Sequence, residues 1–268
     1  MTARDILQWP AAPYDHRLPY GKDPLQFGEL RLPPGDGLFP VVVVIHGGCW
    51  QAEYNLDHIG RLCAALTAEG VATWSLEYRR IGDEGGGWPG TFLDVGRGID
   101  HLRELEYHYP LDLKRVVIIG HSAGGHLALW AAARYKIPRQ SPLYLAKPLA
   151  LRGVVSLAGI TDLRTYTGGC GDAVRQLMGG TPADVGERYH QASPREQLPL
   201  PDIAVRLVHG RRDIIVPLAQ SESYRVLSRT NRGNVQLSVI DPAGHFELID
   251  PDSGAWQMVR RAVFSLLQ

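Results

Sequence analysis

Residues Val116 to Ala133 read Val-Val-Ile-Ile-Gly-His-Ser-Ala-Gly-Gly-His-Leu-Ala-Leu-Trp-Ala-Ala-Ala, and this stretch constrains the fold more than any other. Four β-branched residues run into Gly120-His121-Ser122-Ala123-Gly124, and an alanine- and leucine-rich segment follows at once. The pattern is strand, tight turn, helix. A serine in that turn is forced into a strained conformation with its hydroxyl raised above the sheet. The flanking Gly120 and Gly124 remove the β-carbons that would collide as strand and helix close on each other. Ser122 therefore reads as a nucleophile on a sharp elbow.

The rest of the chain alternates strand and helix around that unit. Strands are expected at Phe27–Leu32, Val41–Ile45, Val71–Leu76, Gly153–Leu157, Ile203–Val208 and Val235–Ile240, with Val41–Ile45 a continuous apolar run of the kind buried on both faces of a parallel sheet. Between them, Ile59, Leu62, Cys63 and Leu66 fall on one helical stripe, and so do Phe92, Val95, Ile99, Leu102 and Leu105. A further helix is expected from Leu218 to Ser228, and a closing one carries Trp256, Val259, Val263 and Leu266. Such alternation predicts an α/β fold: a mostly parallel sheet, helices on both faces, and a ligand site at the C-terminal strand ends. The regularity fails twice. Residues 1 to about 26 are rich in proline and aromatics (Trp9, Tyr14, Tyr20) and read as an arm laid over the domain. Residues 159–200 hold short amphipathic pieces, among them Asp172–Met178 and Asp184–Gln191, too apolar for a linker and read as a small helical cap. The whole, 1–268, is taken as one domain.

Composition narrows the partners. Twenty-eight basic residues balance 28 acidic ones in 268, so no field exists to hold a polyanion or an anionic membrane surface. The N-terminus lacks the apolar run of a secretory signal, and no segment approaches the roughly eighteen apolar residues of a membrane span, so the expected location is cytoplasmic. The three cysteines (Cys49, Cys63, Cys170) are few, odd in number and without metal-ligand spacing, which predicts reduced thiols. Oligomeric state is not legible.

Acyl transfer by a serine needs a base, a carboxylate to orient it, and donors for the oxyanion. After the strand ending at Val208 comes His209-Gly-Arg-Arg-Asp213, and after the strand ending at Ile240 comes Asp241-Pro-Ala-Gly244-His245. Asp213 and His245 thus sit in consecutive strand-end loops behind the elbow. Asp241 and Glu247 are rival acids for which turn and capping roles suffice. His46-Gly47-Gly48-Cys49-Trp50 follows the strand Val41–Ile45, where adjacent glycines let bare backbone N–H groups face one oxygen. The oxyanion hole is assigned to Gly48, Cys49 and Ala123, with Gly47, Gly48 and Cys49 all open as the loop donor. His46 reads as a brace for that loop, and Trp50 as either a loop anchor or a substrate-binding wall. His121 and His126 read as structural.

Together, His46-Gly-Gly-x-Trp50, Gly120-His-Ser-Ala-Gly-Gly-His126, His209-Gly-x-x-Asp213-x-x-Val-Pro217 and Gly244-His245 resemble the α/β-hydrolase superfamily, in the branch of kynurenine formamidases, bacterial feruloyl-type esterases and hormone-sensitive-lipase-like esterases. The resemblance covers residues 27 to 268. It implies a Ser122, Asp213, His245 triad, no metal and no organic cofactor. It departs from formamidases at Cys49, where they generally carry Tyr, and from the lipase-like branch at Glu77-Tyr78-Arg79-Arg80. The expected reaction is hydrolysis of small or aromatic carboxylic esters through an acyl-enzyme. The rivals are an N-formyl aromatic amide hydrolase, an exopeptidase without its access-restricting propeller, and a non-catalytic receptor on the same fold, which would be expected to have lost a triad member.

Overall fold

The computed structural model describes residues 1–230 and 233–268. Among the described residues eight strands form one sheet: β1 His16–Pro19, β2 Phe27–Arg31, β3 Phe39–Ile45, β4 Ala72–Leu76, β5 Leu111–His121, β6 Gly153–Leu157, β7 Ala204–Gly210 and β8 Val235–Ile240. Their order across the sheet is β1-β2-β4-β3-β5-β6-β7-β8. The β1–β2 and β2–β4 pairs are antiparallel and all the others parallel. The helices are α1 Ala3–Leu7, α2 Gly60–Ala68, α3 Gly90–Asp100, α4 Leu102–Leu105, α5 Ala123–Ala132, α6 Ala173–Met178, α7 Gly186–Ala192, α8 Ala219–Thr230 and α9 Trp256–Leu267.

Both faces of the sheet are covered, as the unbroken apolar runs require. Val41, Val43 and Ile45 belong to one core cluster with Phe92, Val95 and Trp130 of α3 and α5. Val42 and Val44 belong to the other, with Leu62 and Leu66 of α2 and Val259 and Val263 of α9. Successive side chains of one strand point to opposite faces, so a five-residue apolar run feeds two cores at once.

Register places the site. Ile45 stands opposite Gly120, His121 opposite Leu157, Leu157 opposite Val208 and Gly210 opposite Ile240. Five strands therefore end at one level of one edge, and every residue assigned to chemistry follows one of those strand ends. The arm departs from its expected lack of regular structure. Its first turn is helix α1, closed by a Thr2/Asp5 capping box, and residues 16–19 pair with β2. β1 is exposed, short and ends in proline, the composition of a protected edge strand, and it gives little periodicity to read.

Among the described residues, no helix is long and apolar enough to cross a membrane. The prediction of three reduced thiols is corrected: Cys49 and Cys170 form a disulfide, and Cys63 alone is free. Parity and spacing in sequence could not show that a cap residue 121 positions away folds back onto the loop after β3.

Candidate active site

Ser122 joins β5 to α5 with φ 56° and ψ −119°, a backbone that side-chain-bearing residues seldom adopt. Its N–H donates to Leu157 O at 2.8 Å and its carbonyl accepts from His126 N–H at 3.0 Å, which holds the turn in place. The two glycines act as their positions suggested. A β-carbon on Gly120 would lie 2.1 Å from Gly124 O, and one on Gly124 would lie 2.2 Å from Ile45 O.

β7 and β8 bring Asp213 and His245 together. His245 Nδ1 lies 2.7 Å from Asp213 Oδ2, with both side chains buried. Asp213 Oδ1 accepts the N–H groups of Ile215 and Val216 at 2.8 and 2.9 Å. Burial of the carboxyl works to raise its pKa. Hydrogen bonds from His209 and His245 and the Val216 N–H overcome that and hold Asp213 well below the usual carboxylate range. It is an acid kept ionised, suited to hold an imidazole with its proton on Nδ1 and a free Nε2. Among the described residues no hydrogen bond joins His245 to the Ser122 hydroxyl, yet both side chains line one pocket; such bonds commonly tighten when substrate arrives.

His209 is the residue the sequence reading left without a role. Its Nε2–H points to Val216 O at 2.9 Å with Asp213 Oδ2 at 3.4 Å, and its Nδ1 meets the Ser221 hydroxyl at 2.8 Å. The spacing His209-x-x-x-Asp213 was the available signal: four residues around one turn return the imidazole to the carboxylate. His121, also read as structural, uses Nε2–H to donate to His245 O at 3.0 Å, with its ring 4.5 Å from that of His245. Burial, reinforced by the neighbouring His245, pushes the His121 pKa well down, so it stays neutral.

The loop after β3 carries Gly48, Cys49 and Trp50 at positive φ (103°, 51° and 57°). A β-carbon on Gly48 would sit 2.2 Å from the Tyr54 side chain, so only glycine fits. Ala123 is the first residue of α5, where a helix leaves its N–H groups without intrahelical acceptors. His46 lies behind the loop. Its Nδ1 is 2.8 Å from Gly47 O and its Nε2 3.0 Å from Glu77 Oε1, Tyr78 stacks on its ring at 4.3 Å, and the Tyr78 hydroxyl donates to His46 O at 2.9 Å. Glu77 also pairs with Arg80 and accepts Leu56 N–H.

Trp50 as a substrate wall is corrected. It is fully buried, its indole N–H donates to His126 Nδ1 at 3.2 Å, and it does not line the pocket. His126 Nε2 in turn reaches Ala192 O at 3.1 Å, so the pair fastens the cap to the elbow helix. The rival acids stand apart. Asp241 is exposed and pairs with Arg211, while Glu247 accepts Gly244 N–H. The pocket itself is about 100 Å³ and is bounded by Gly48, Cys49, Ser122 and His245 on one side and by Ile6 and Tyr54 on another.

A strained serine elbow between strand and helix, with acid and histidine on the loops after β7 and β8 of an eight-stranded, mostly parallel sheet, defines the α/β-hydrolase fold. Within it, the chain belongs to the BD-FAE family, whose model matches residues 29–226. It is 26% identical over 247 residues to Esterase LipC of Mycobacterium tuberculosis, a match covering 87% of this chain and 60% of that one. A truncated carbohydrate esterase from gut microbiota superposes with a TM-score of 0.81 at 21% identity, covering 94% of this chain and 96% of that one. Esterase B from Lactobacillus rhamnosis superposes at 0.79 with 20% identity, covering 98% and 90%.

Proposed function

We propose that this chain is a serine hydrolase of carboxylic esters. Ser122 Oγ attacks the ester carbonyl while His245 Nε2 takes its proton. The tetrahedral oxyanion is held by N–H groups of Gly48, Cys49 and Ala123, and His245 returns the proton to the departing alcohol. Water then repeats the sequence on the acyl-enzyme. Asp213 fixes the tautomer of His245 and stabilises its cation. The observation that carries this reading is the 2.7 Å His245–Asp213 contact, made behind a pocket that both His245 and the strained Ser122 line.

The matching relatives are named esterases, which supports an ester over the N-formyl aromatic amide. Side-by-side turnover of p-nitrophenyl acetate and N-formylkynurenine tests it: faster ester hydrolysis is expected, and a higher kcat/KM for the formamide overturns the choice. The substrate is read as a small molecule. Residues 1–26 and 159–200 are read as arm and cap of one domain. On compartment, the cytoplasmic reading and the Cys49–Cys170 disulfide point in opposite directions. Alkylation of thiols in freshly lysed cells, followed by mass spectrometry of the protein, decides between them.

A further inference from the structure

Helix α1 lies across the cleft. Ala3 and Ile6 line the inner pocket of about 100 Å³ together with Ser122 and the oxyanion loop. At the start of α1, beside Met1, Thr2 and Ala3, lies a wider groove of about 420 Å³, bordered also by Arg212, Ile214 and Glu247. The two spaces share a wall of Ala3, Ile215, His245 and Phe246. Ile6 faces only the inner space and is 2% exposed, packed in the cluster of Leu56 and Ile59 with Phe246 against it. Ile214 faces only the outer one and is 90% exposed, a large apolar side chain left in solvent beside the acid of the proposed triad.

Chemistry assigns the two spaces. The acyl carbon remains bonded to Ser122 after the alcohol departs, and its oxyanion must sit against Gly48 and Cys49, which only the inner space contains. The leaving oxygen must receive its proton from His245, on the wall between the spaces, so the alcohol departs outward. Size then sets a limit. An apolar cavity of about 150 Å³ holds a benzene ring, and the inner space, at about 100 Å³, is smaller.

We propose that the start of α1 separates a small inner acyl chamber from a wider alcohol groove, and that Ile6 is the residue that limits the acyl group to about two to four carbons. The proposal rests on the ester-hydrolase reading and narrows it, because aromatic groups are then accepted as the alcohol and refused as the acid. Extending a chain against Ile6 forces the side chain off its packed position, and close-packed interiors resist over-packing of that kind.

The test is kcat/KM for p-nitrophenyl acetate, butyrate, hexanoate and octanoate in the wild type, Ile6→Ala and Ile6→Phe. One leaving group is kept throughout, so only the acyl chamber is probed. The wild type is expected to fall at least tenfold from butyrate to octanoate. Ile6→Ala should raise the octanoate-to-acetate ratio about tenfold, and Ile6→Phe should lower butyrate relative to acetate by a similar factor; single-methylene discrimination in apolar pockets spans about 10- to 200-fold. Ile214→Ser should leave the acyl profile unchanged and alter the ratio of p-nitrophenyl to methyl acetate. A wild-type optimum at octanoate, or variants of both sizes with the wild-type ratio, overturns the assignment. The rates at which methyl and octyl p-nitrophenyl phosphonates modify Ser122 read the chamber without turnover. Preferential methyl labelling in a protein that cleaves no ester would sink the ester reading and keep the chamber; equal labelling rates would sink the chamber alone.

Discussion

Cys49 and Cys170 are joined by a disulfide that fastens the proposed oxyanion loop to the cap, with Cα atoms 5.4 Å apart. The link continues. Cys170 N–H donates to the Tyr166 hydroxyl at 3.2 Å, and that hydroxyl and Gly169 N–H both donate to Ile215 O, at 3.0 and 2.7 Å. Ile215 N–H closes on Asp213 Oδ1 at 2.8 Å. One covalent bond and a short chain of hydrogen bonds thus connect the oxyanion loop to the acid of the proposed triad.

Cutting that connection should loosen the loop without removing any reacting group. Cys170→Ser, or dithiothreitol on the wild type, is expected to lower kcat about tenfold, less than the 10²- to 10³-fold cost of deleting an oxyanion donor outright. Dithiothreitol should then have no further effect on the variant. Chain-entropy reasoning for a loop of this length allows up to about 4–5 kcal/mol of lost stability, which thermal unfolding with and without reductant reads.

Asp213→Asn should leave the fold intact and lower kcat by about 10⁴-fold, because the amide favours the wrong tautomer of His245. Asp241→Asn, at an exposed residue paired with Arg211, should change kcat less than about threefold, in keeping with an exposed ion pair worth at most about 1 kcal/mol. Steady-state kinetics on p-nitrophenyl acetate checks both, and reversed losses would show the acid to be Asp241.

The elbow at Ser122 and the strand-end positions of Asp213 and His245 were legible because each depends on local rules: β-branched runs make strands, and loops that can carry chemistry follow their C-terminal ends. Gly120 and Gly124 could be read because strand–helix closure at Ser122 leaves no room for a β-carbon. Cys170, Ile6 and His209 were not, since their roles are contacts between segments distant in sequence or between side chains that no periodicity marks. Trp50 shows the converse error. An aromatic residue beside a catalytic loop looks like a substrate wall, but its indole N–H found a buried partner in His126 and went into the core.

Acid should destabilise this protein through its buried histidines. Burial lowers His126 to about 4 and, with His46 nearby, His58 to about 3. In the unfolded chain both take up protons near pH 6.5, so the stability of the neutral, buried forms is full above that pH and is lost as pH falls toward the folded values. At pH 5 each accounts for a loss on the order of 2 kcal/mol. Urea unfolding of the wild type and His126→Gln at pH 7.5 and pH 5 checks this: the variant is expected to start less stable and to lose less between the two pH values. Equal losses would mean that His126 is not held neutral.

The central claim, that Ser122 is an ester-cleaving nucleophile, is tested most directly by treating the protein with a p-nitrophenyl phosphonate, mapping the adduct by mass spectrometry, and measuring p-nitrophenyl acetate turnover in Ser122→Ala. The account predicts one adduct, on Ser122, complete loss of activity on labelling, and a fall in kcat of about 10³-fold or more in a folded Ser122→Ala protein. An adduct on another residue, or a folded Ser122→Ala protein that retains near-normal turnover, would contradict it.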